Sequence, residues 1–230
     1  MERNFNKLEK KLGVTFKNKK LLQQSFIHRS FLNENRNFPL ENNERLEFLG
    51  DAVLELIVTE YIYGEYPNPE GELTNWRSSL VNGNMLSKIS RKLEFEKYLY
   101  LSRGEQKDKG RARELLLANC FEAVVGAIYL DKGYEAAKVF IKKNLIVKLP
   151  QIIEKKLFID PKSKFQELSQ EKTGITPTYK VLKEHGPDHN KYFAVGAYIG
   201  KEQVGIGEGA SKQDAQTKAA EEALKKKSWT

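Results

Sequence analysis

The sequence predicts a mainly helical first domain followed by a small α+β domain with the order α-β-β-β-α. From residue 4 to about residue 150, apolar side chains recur every three or four positions, which is typical of amphipathic helices. Beyond residue 160 the pattern changes to alternating apolar and polar residues, typical of strands, before an alanine-rich helix. We therefore expect a first domain at 4–150, a linker at 151–159 and a second domain at 160–229.

Helices of the first domain are expected to stop at prolines, because proline lacks the amide hydrogen that a helix interior needs. Prolines fall between the periodic segments, at Pro39, Pro67, Pro69 and Pro150. The stretch 103–113 is polar and without periodicity. It predicts an exposed loop, which is either a site of phosphate contacts or a merely solvated surface.

The second domain is predicted to open with a helix. Asp160 is a favourable N-cap and Pro161 a favourable first helical residue. This start places Phe165 and Leu168 on the inner face of the helix.

Three strands are predicted next, around 179–181, 193–199 and 204–206, with the alternating apolar residues of each on one face. Turn residues separate them. A final helix begins near Ser211. Its narrow apolar face consists of Ala215, Ala219, Ala220, Ala223 and Leu224.

A stripe of carboxylates is predicted on the helix over 43–54, where 3.6 residues per turn place Glu44, Glu47 and Asp51 on one face. Like charges that lie this close raise one another's pKa, and a bound cation usually neutralises them. The alternative is a solvated acidic face. Apolar neighbours leave little helix surface for water and favour the metal site. These neighbours are Leu46, Phe48, Leu49, Val53 and Leu54.

A second apolar helix, over 114–131, carries Asn119 and Glu122 three residues apart. A buried carboxylate without a partner is costly. Because each of the two apolar helices carries acidic residues that face inward, we expect them to form the two halves of one metal site. Oxygen ligands without a Cys or His partner favour Mg²⁺, with Mn²⁺ as the alternative.

These segments resemble bacterial ribonuclease III, the endonuclease that cuts double-stranded RNA. The resemblance rests on the string 43–54 and on three further segments in the expected order over nearly the whole chain: Ile27-His-Arg-Ser30, Leu80-Val-Asn-Gly-Asn84 and Ala118-Asn-Cys-Phe-Glu122.

The resemblance implies roles for the acidic residues. Glu47 and Glu122 correspond to metal ligands, with Asn119 as a further ligand, and Asp51 and Glu122 correspond to the catalytic carboxylates. Glu44 and Glu70 fall on acids placed near the scissile strand. Arg45, on the flank of the first helix, is expected to make a structural ion pair.

The activity implied is metal-dependent cleavage of duplex RNA to 5′-phosphate and 3′-hydroxyl ends, in the processing of ribosomal and other RNA precursors. The resemblance also implies a homodimer whose two sites cut opposite strands. Candidate interface residues are Phe26, Phe31 and Trp76, although core packing is the default interpretation for each.

Asn119 departs from the family pattern, which usually has Asp at this position. The three carboxylates of Glu47, Asp51 and Glu122 then carry a charge of −3 where the family pattern gives −4, and weaker metal binding is expected. The asparagine is either natural to this branch or an engineered substitution. The alternative function is therefore a double-stranded RNA-binding protein with impaired or no cleavage.

The second domain resembles the double-stranded RNA-binding domain, which reads the shape of the duplex through 2′-hydroxyls and phosphates. By this resemblance Gln166 and His189 face successive minor grooves, although a lone loop histidine is often an ordinary surface residue. Ser211 and Lys212 at the start of the last helix would bind the phosphates between the grooves, with Lys218 contributing.

Composition agrees with a polyanionic partner. The net charge of +8 and the pI near 9.3 favour nucleic acid first and an anionic membrane second. The single cysteine, Cys120, excludes an internal disulfide and predicts a buried core thiol in a reducing cytoplasm. No apolar leader and no run of about 18 apolar residues occurs, so we expect a cytoplasmic protein without membrane segments.

Overall fold

The chain divides into two units, Met1–Phe158 and Ile159–Thr230, in the computed structural model, which describes residues 3–107, 110–156, 158, 160–187 and 191–229. The first unit is helical, and the second contains a three-stranded sheet and two helices. The predicted fold class is therefore confirmed. Within the described residues, no helix is both long enough and apolar enough to cross a bilayer.

The first unit is built from helices that the periodicity predicts. Their bounds are α1 Phe5–Leu12, α2 Lys19–Gln24, α3 Arg29–Glu34, α4 Glu44–Glu65, α5 Glu70–Val81, α6 Gly83–Lys92, α7 Arg111–Lys132, α8 Tyr134–Asn144 and α9 Leu149–Glu154, with short 3-10 turns at Phe95–Lys97 and Ile146–Lys148.

Helices α4 and α7 form the centre of this unit. Each spans 22 residues, and α7 is buried almost continuously from Leu117 to Ile128. On α4 the fully buried residues include Leu54, Ile57 and Val58. The remaining helices pack around this pair, so the core needs apolar residues on several sides of α7 rather than on one stripe.

Two glycines allow α4 and α7 to cross with their backbones in contact. A Cβ atom added to Gly50 would lie 1.8 Å from the carbonyl oxygen of Glu122, and one added to Gly126 would lie 2.3 Å from that of Leu46. Real Cβ atoms do not approach other atoms this closely, so both positions exclude every side chain. The crossing therefore fixes Glu122 directly beside Gly50.

The end of the first unit differs from the prediction. Residues 151–154 were expected to lie in a linker, but they continue α9, whose Leu149 and Ile152 are buried in the core. Pro150 lies in the first turn of this helix. Backbone amides there have no acceptor within the helix, so the amide hydrogen that proline lacks is not needed. Pro150 starts a helix where we expected it to stop one.

Two of the three candidate interface residues belong to the core. Phe26 and Trp76 are buried, as the default interpretation predicts. Phe31 is partly buried, and its ring packs against those of Phe38 and Tyr100, with centroids 5.2 and 5.1 Å away. The burial of Phe26 and Trp76 leaves both side chains unavailable to a second subunit.

The second unit has the predicted order. It consists of α10 (Pro161–Thr173), β1 (Thr178–His185), β2 (Tyr192–Ile199), β3 (Glu202–Gly209) and α11 (Lys212–Lys226), with an antiparallel sheet in the order β1-β2-β3. The predicted N-cap of α10 is confirmed, since the Asp160 carboxylate accepts a hydrogen bond from the amide of Ser163 at 2.9 Å. All five residues of the predicted apolar face of α11 are buried.

The alternation predicted for β1 and β3 is wrong at Val181 and Ile206, which are 44% and 48% exposed. In β3 the register shifts so that Val204 is an extra residue between the pairs of Gln203 and Gly205. Such a bulge reverses which residues face inward beyond it. The register also shifts in β1, directly after Val181.

Beyond the bulge, the inward positions of β3 are glycines. A Cβ added to Gly205 would lie 2.3 Å from the carbonyl oxygen of Ala219, and one added to Gly207 would lie 2.2 Å from that of Ala215. The strand therefore packs directly on the backbone of α11. Ile206, between the two glycines, is turned to the outer face of the sheet.

We expect Gly50→Ala to destabilise the protein by more than about 3 kcal/mol, because the new methyl group would overlap the backbone of α7. The matched control is Gly64→Ala on the same helix, where an added Cβ has no neighbour within 4 Å. It should be neutral or stabilise by up to about 1 kcal/mol. Urea denaturation followed by circular dichroism measures both, and equal effects of the two substitutions would contradict the close crossing.

Candidate functional site

The acidic end of α4 is held in place by Asn43, the residue before the helix. Its amide donates to the carbonyl of Ile27 at 2.8 Å, and its side-chain nitrogen donates to the carbonyl of Ser25 at 3.2 Å. Glu44 and Glu47 lie in the first turn, where the positive end of the helix dipole favours carboxylates. The start of α4 is thus fixed before any ligand binds.

The helix crossing brings the carboxylates of α4 and α7 within electrostatic reach of one another. Burial, followed by repulsion from Asp51 and Glu47, raises the pKa of Glu122 to about 8. Burial and repulsion from Glu44 and Asp51 also raise the pKa of Glu47. These shifts identify a group of like charges that the fold holds together at a cost.

Asn119 opposes this repulsion. Its side chain hydrogen-bonds the Glu47 carboxylate, and this bond lowers the pKa of Glu47. Both residues line a small cavity of about 120 Å³. The full lining consists of His28, Asn43, Glu44, Glu47, Leu99, Leu116 and Asn119.

Solvent reaches the α4 stripe more than the sequence predicts. Leu46, Val53 and Leu54 are buried as expected, but Phe48 is 83% exposed. The prediction that Phe48 shields the acids is therefore wrong, and Asp51 is exposed as well. Glu122 is buried more deeply than Asp51, because it lies at the crossing with Gly50.

Four other predicted residues do not belong to the lining of this small cavity: Asp51, Glu122, Glu70 and Arg45. Glu70 begins α5 and lines a separate cavity of about 270 Å³ with Thr59, Tyr63 and Arg77. Arg45 has no carboxylate within salt-bridge distance among the described residues, so the predicted structural ion pair is wrong. Glu44 instead pairs with Arg29, at 3.6 Å.

The donor set suits a hard divalent cation. In the part of the chain that the structure describes, no three His, Cys, Asp or Glu side chains form a ready metal-ligand cluster. However, carboxylate oxygens and one amide oxygen are the ligands that Mg²⁺ and Mn²⁺ prefer. A cation beside Glu47 and Glu122 would also remove the repulsion that raises their pKa values.

His28 belongs to the site, although the sequence singled it out only as part of the matching segment Ile27-His-Arg-Ser30. Its ring lines the cavity with Glu44, Glu47 and Asn119, and burial lowers its pKa. It lies 19 positions before Glu47, outside the helical pattern, so periodicity carried no signal for it. Cys120, in contrast, is a buried core residue as predicted, and burial raises the pKa of its thiol well above the usual value.

Of the residues predicted to bind RNA in the second unit, some are exposed and one is engaged within the protein. Gln166 on α10 and Lys212 on α11 are exposed, and the hydroxyl of Ser211 caps α11 by accepting from the amide of Asp214 at 3.1 Å. Lys218 is engaged within the protein, since it donates to the carbonyl of Glu208 at 2.9 Å and pairs with Asp214 at 3.1 Å. His189 lies outside the described residues.

A third, larger cavity of about 620 Å³ lies beside the predicted loop 103–113. Its charged lining is mainly basic and consists of Arg3, Arg91, Lys97, Arg113 and Glu96. The end of that stretch is helical, because α7 begins at residue 111. The side chain of Arg113 donates to the carbonyl of Glu105 at 2.9 Å and so ties the loop to α7.

Comparison with known proteins finds a matching family for each of the two units. A family described as ribonuclease-III-like matches residues 18–149, and one described as a double-stranded RNA binding motif matches residues 161–227. Ribonuclease 3 of a Nitratiruptor species is 46% identical over 224 residues, which cover 97% of this chain and 96% of that protein. Ribonuclease 3 of Enterococcus faecalis is 42% identical and covers 95% of each chain.

Among solved structures, the nuclease domain of ribonuclease III from Campylobacter jejuni is 39% identical, with a TM-score of 0.55. It covers 61% of this chain, and 98% of that domain is matched. Its description refers to a flexible region involved in dimer formation.

The raised pKa of Glu122 predicts a pH-dependent loss of stability in metal-free protein. Below pH 4.5, the ordinary pKa of a glutamate, the protonated carboxyl of Glu122 contributes fully to the free energy of unfolding. This contribution is lost as the pH rises through about 8. Glu122→Gln should therefore unfold like the parent chain near pH 4.5 but be more stable at pH 9, on the order of 2–4 kcal/mol after allowance for screening. Denaturation in EDTA across this range measures the difference.

The control is Glu60→Gln, on the same helix as Glu47. Hydrogen bonds from Tyr134 and Lys138 lower the pKa of Glu60, so its contribution to stability is present above the ordinary pKa and lost in acid. This substitution should destabilise the protein at neutral pH, opposite in sign to Glu122→Gln. Parallel curves for Glu122→Gln and the parent chain would show that the Glu122 carboxyl is not perturbed.

Proposed function

The chain belongs to the ribonuclease III family, and from this premise we propose that it cuts double-stranded RNA by metal-dependent hydrolysis. The observation that carries the proposal is the group of Glu47, Asp51 and Glu122, which lies within the matched residues 18–149. The matched double-stranded RNA binding motif supplies the substrate class. The unpaired Cys120 suits a reducing cytoplasm, where we place the processing of ribosomal and other RNA precursors.

Glu47 and Glu122, with the amide oxygen of Asn119, would hold Mg²⁺ or Mn²⁺. A bound divalent ion lowers the pKa of water and stabilises charge on a phosphodiester that undergoes in-line displacement. The exposed carboxylate of Asp51 orients the attacking water by accepting its hydrogen bond. The water oxygen gives up a proton to solvent and forms the new bond to phosphorus while the bond to the 3′ oxygen breaks, and the 3′ oxygen takes up a proton from solvent. The products are a 5′-phosphate and a 3′-hydroxyl.

The second unit would hold the duplex by its shape. A-form RNA presents 2′-hydroxyls and phosphates rather than readable base edges. The exposed Lys212 and the capped start of α11 provide a positive charge and amide groups for phosphates. Gln166 on α10 is exposed and free to enter a minor groove. The basic cavity of the first unit adds positive charge for further phosphates.

A homodimer is proposed because α4 carries an exposed apolar stripe. Phe48 is 83% exposed, Leu56 58% and Tyr63 81%. At 100° per residue these three side chains fall within about 80° of one another around the helix. Exposed apolar patches of this kind mark association surfaces, and the similar nuclease domain from Campylobacter jejuni is described as forming a dimer.

A second candidate function rests on Asn119. This position lines the carboxylate cavity, which is the cavity of about 120 Å³ beside Glu44 and Glu47, but adds no negative charge to it. If the neutral amide leaves metal binding too weak for turnover, the chain binds RNA duplexes without cutting them. The experiments below separate the two functions.

We expect the chain to cut long duplex RNA in Mg²⁺ and to stop when EDTA is added. Glu122→Gln should lose cleavage, because it removes a carboxylate ligand, while its affinity for the duplex remains nearly unchanged. Gel analysis measures cleavage, and a mobility shift in EDTA measures binding. Equal loss of binding and cleavage would assign Glu122 to folding rather than to the metal site.

Asn119→Asp should raise the cleavage rate and lower the Mg²⁺ concentration at half-maximal rate by about tenfold or more, because one more carboxylate attracts a divalent ion. Thermal melting without metal should favour the parent chain, since Asp cannot donate to Glu47 as Asn119 does. Cleavage only by the Asp variant would support the second candidate function. An identical Mg²⁺ dependence for both chains would show that position 119 is not a ligand.

Phe48→Glu should convert the proposed dimer into a monomer, because it places a charge on the most exposed residue of the apolar stripe. Light scattering coupled to size-exclusion chromatography measures the mass of 26.5 kDa or its double. The matched control is Val139→Glu, which changes an apolar residue on α8 that is 65% exposed. A parent chain that is already monomeric, or a dimer insensitive to Phe48→Glu, would rule out this interface.

A further inference from the structure

The side chain of His28 has one ring nitrogen committed inside the protein. Nδ1 lies 3.3 Å from the amide of Ser30 and accepts its hydrogen bond, which caps α3. The hydroxyl of Ser30 also lies 2.8 Å from Nδ1. That hydroxyl oxygen accepts from the amide of Ser102 at 3.1 Å, so its own proton is available to Nδ1. Both contacts make Nδ1 an acceptor.

This arrangement fixes the tautomer of the ring. An Nδ1 that accepts a backbone hydrogen bond carries no proton, so the neutral imidazole must carry its proton on Nε2. In the described part of the chain, Nε2 has no hydrogen-bond partner. His28 is partly exposed and lines the carboxylate cavity. The ring therefore offers an unused N–H donor at that cavity.

The other amides of the lining are already engaged. The side chain of Asn43 donates to the carbonyl of Ser25, and that of Asn119 donates to the Glu47 carboxylate. Glu44 and Glu47 present only acceptors and negative charge, which repel a phosphate.

We propose that His28 contacts the substrate directly, its Nε2–H donating a hydrogen bond to a non-bridging oxygen of the phosphodiester at the carboxylate cavity. The inference rests on the proposed function. A neutral donor suits this position because a lysine or arginine would pair with the carboxylates and compete with a divalent ion for them. The neutral imidazole holds the phosphate oxygen without that competition.

The first test reads the contact without cleavage. Nitrogen-15 NMR of the histidine side chains in Glu122→Gln protein should show the His28 ring protonated at Nε2, with His28→Asn identifying its signals. Addition of a short RNA duplex should shift the Nε2 proton downfield, as a new hydrogen bond requires. A ring protonated at Nδ1, or an Nε2 proton that saturating duplex leaves unmoved, would overturn the inference.

The second test measures the reaction. His28→Asn preserves an acceptor that caps α3 but removes the Nε2 donor. Single-turnover cleavage should slow by about tenfold to hundredfold, with duplex affinity and melting temperature nearly unchanged. His28→Gln, whose amide reaches toward the Nε2 position, should recover part of the rate. His185→Asn on β1 is the matched control and should cleave like the parent chain.

Sulfur in place of each non-bridging oxygen then separates contact from structure. Sulfur at the contacted oxygen should slow the parent chain more than it slows His28→Asn, because the variant has already lost that hydrogen bond. An unchanged rate in His28→Asn, or equal sulfur effects in both proteins, would overturn the proposal. If the parent chain and His185→Asn both fail to cleave, the proposed function fails, and the NMR result still decides whether His28 contacts RNA.

Discussion

The contact between the backbones of α4 and α7 at Gly50 and Gly126 is the constraint on which the first unit depends. Each glycine lies against a carbonyl of the other helix, and neither has room for a Cβ atom. One of those carbonyls belongs to Glu122, so the residue that closes the crossing also carries a carboxylate to Glu47 and Asp51. The close approach of like charges is therefore a direct consequence of helix packing, and apolar burial elsewhere in the core must offset its cost.

The second unit uses the same physical device between a strand and a helix. Gly205 and Gly207 of β3 lie against carbonyls of α11, whose facing residues are alanines. This close contact leaves no room for larger inward residues, and it accounts for the narrow alanine face of α11. It also holds the start of α11, with Ser211 as its cap, next to the end of β3. The N-terminal end of α11, which suits phosphate binding, is thus positioned by the glycines of β3.

Regular patterns made the fold predictable, and irregular contacts limited the prediction. Helical periodicity located the helices of the first unit, and Asp160 with Pro161 marked the start of α10 correctly. The exposure of Val181 and Ile206 depends on register shifts, and strand alternation does not reveal a bulge. The exposure of Phe48 depends on which side of α4 the neighbouring helices cover. Likewise, the place of His28 at the cavity arises from the fold and has no counterpart in local spacing.

In the proposed metal site, Asn119 would set the balance between the stability of the metal-free protein and its affinity for the metal. In the metal-free protein its amide donates to Glu47, which relieves part of the repulsion that Glu44 and Asp51 impose. A carboxylate at the same position could not donate in its charged form, and it would add a further repulsion. For a divalent ion the order reverses, since an added charge in a partly buried site contributes attraction on the order of 1–3 kcal/mol after desolvation. In that proposed site, the side chain that stabilises the metal-free protein by its hydrogen bond to Glu47 would also weaken metal binding. The repulsion that raises the pKa of Glu122 would then be relieved by the bound cation.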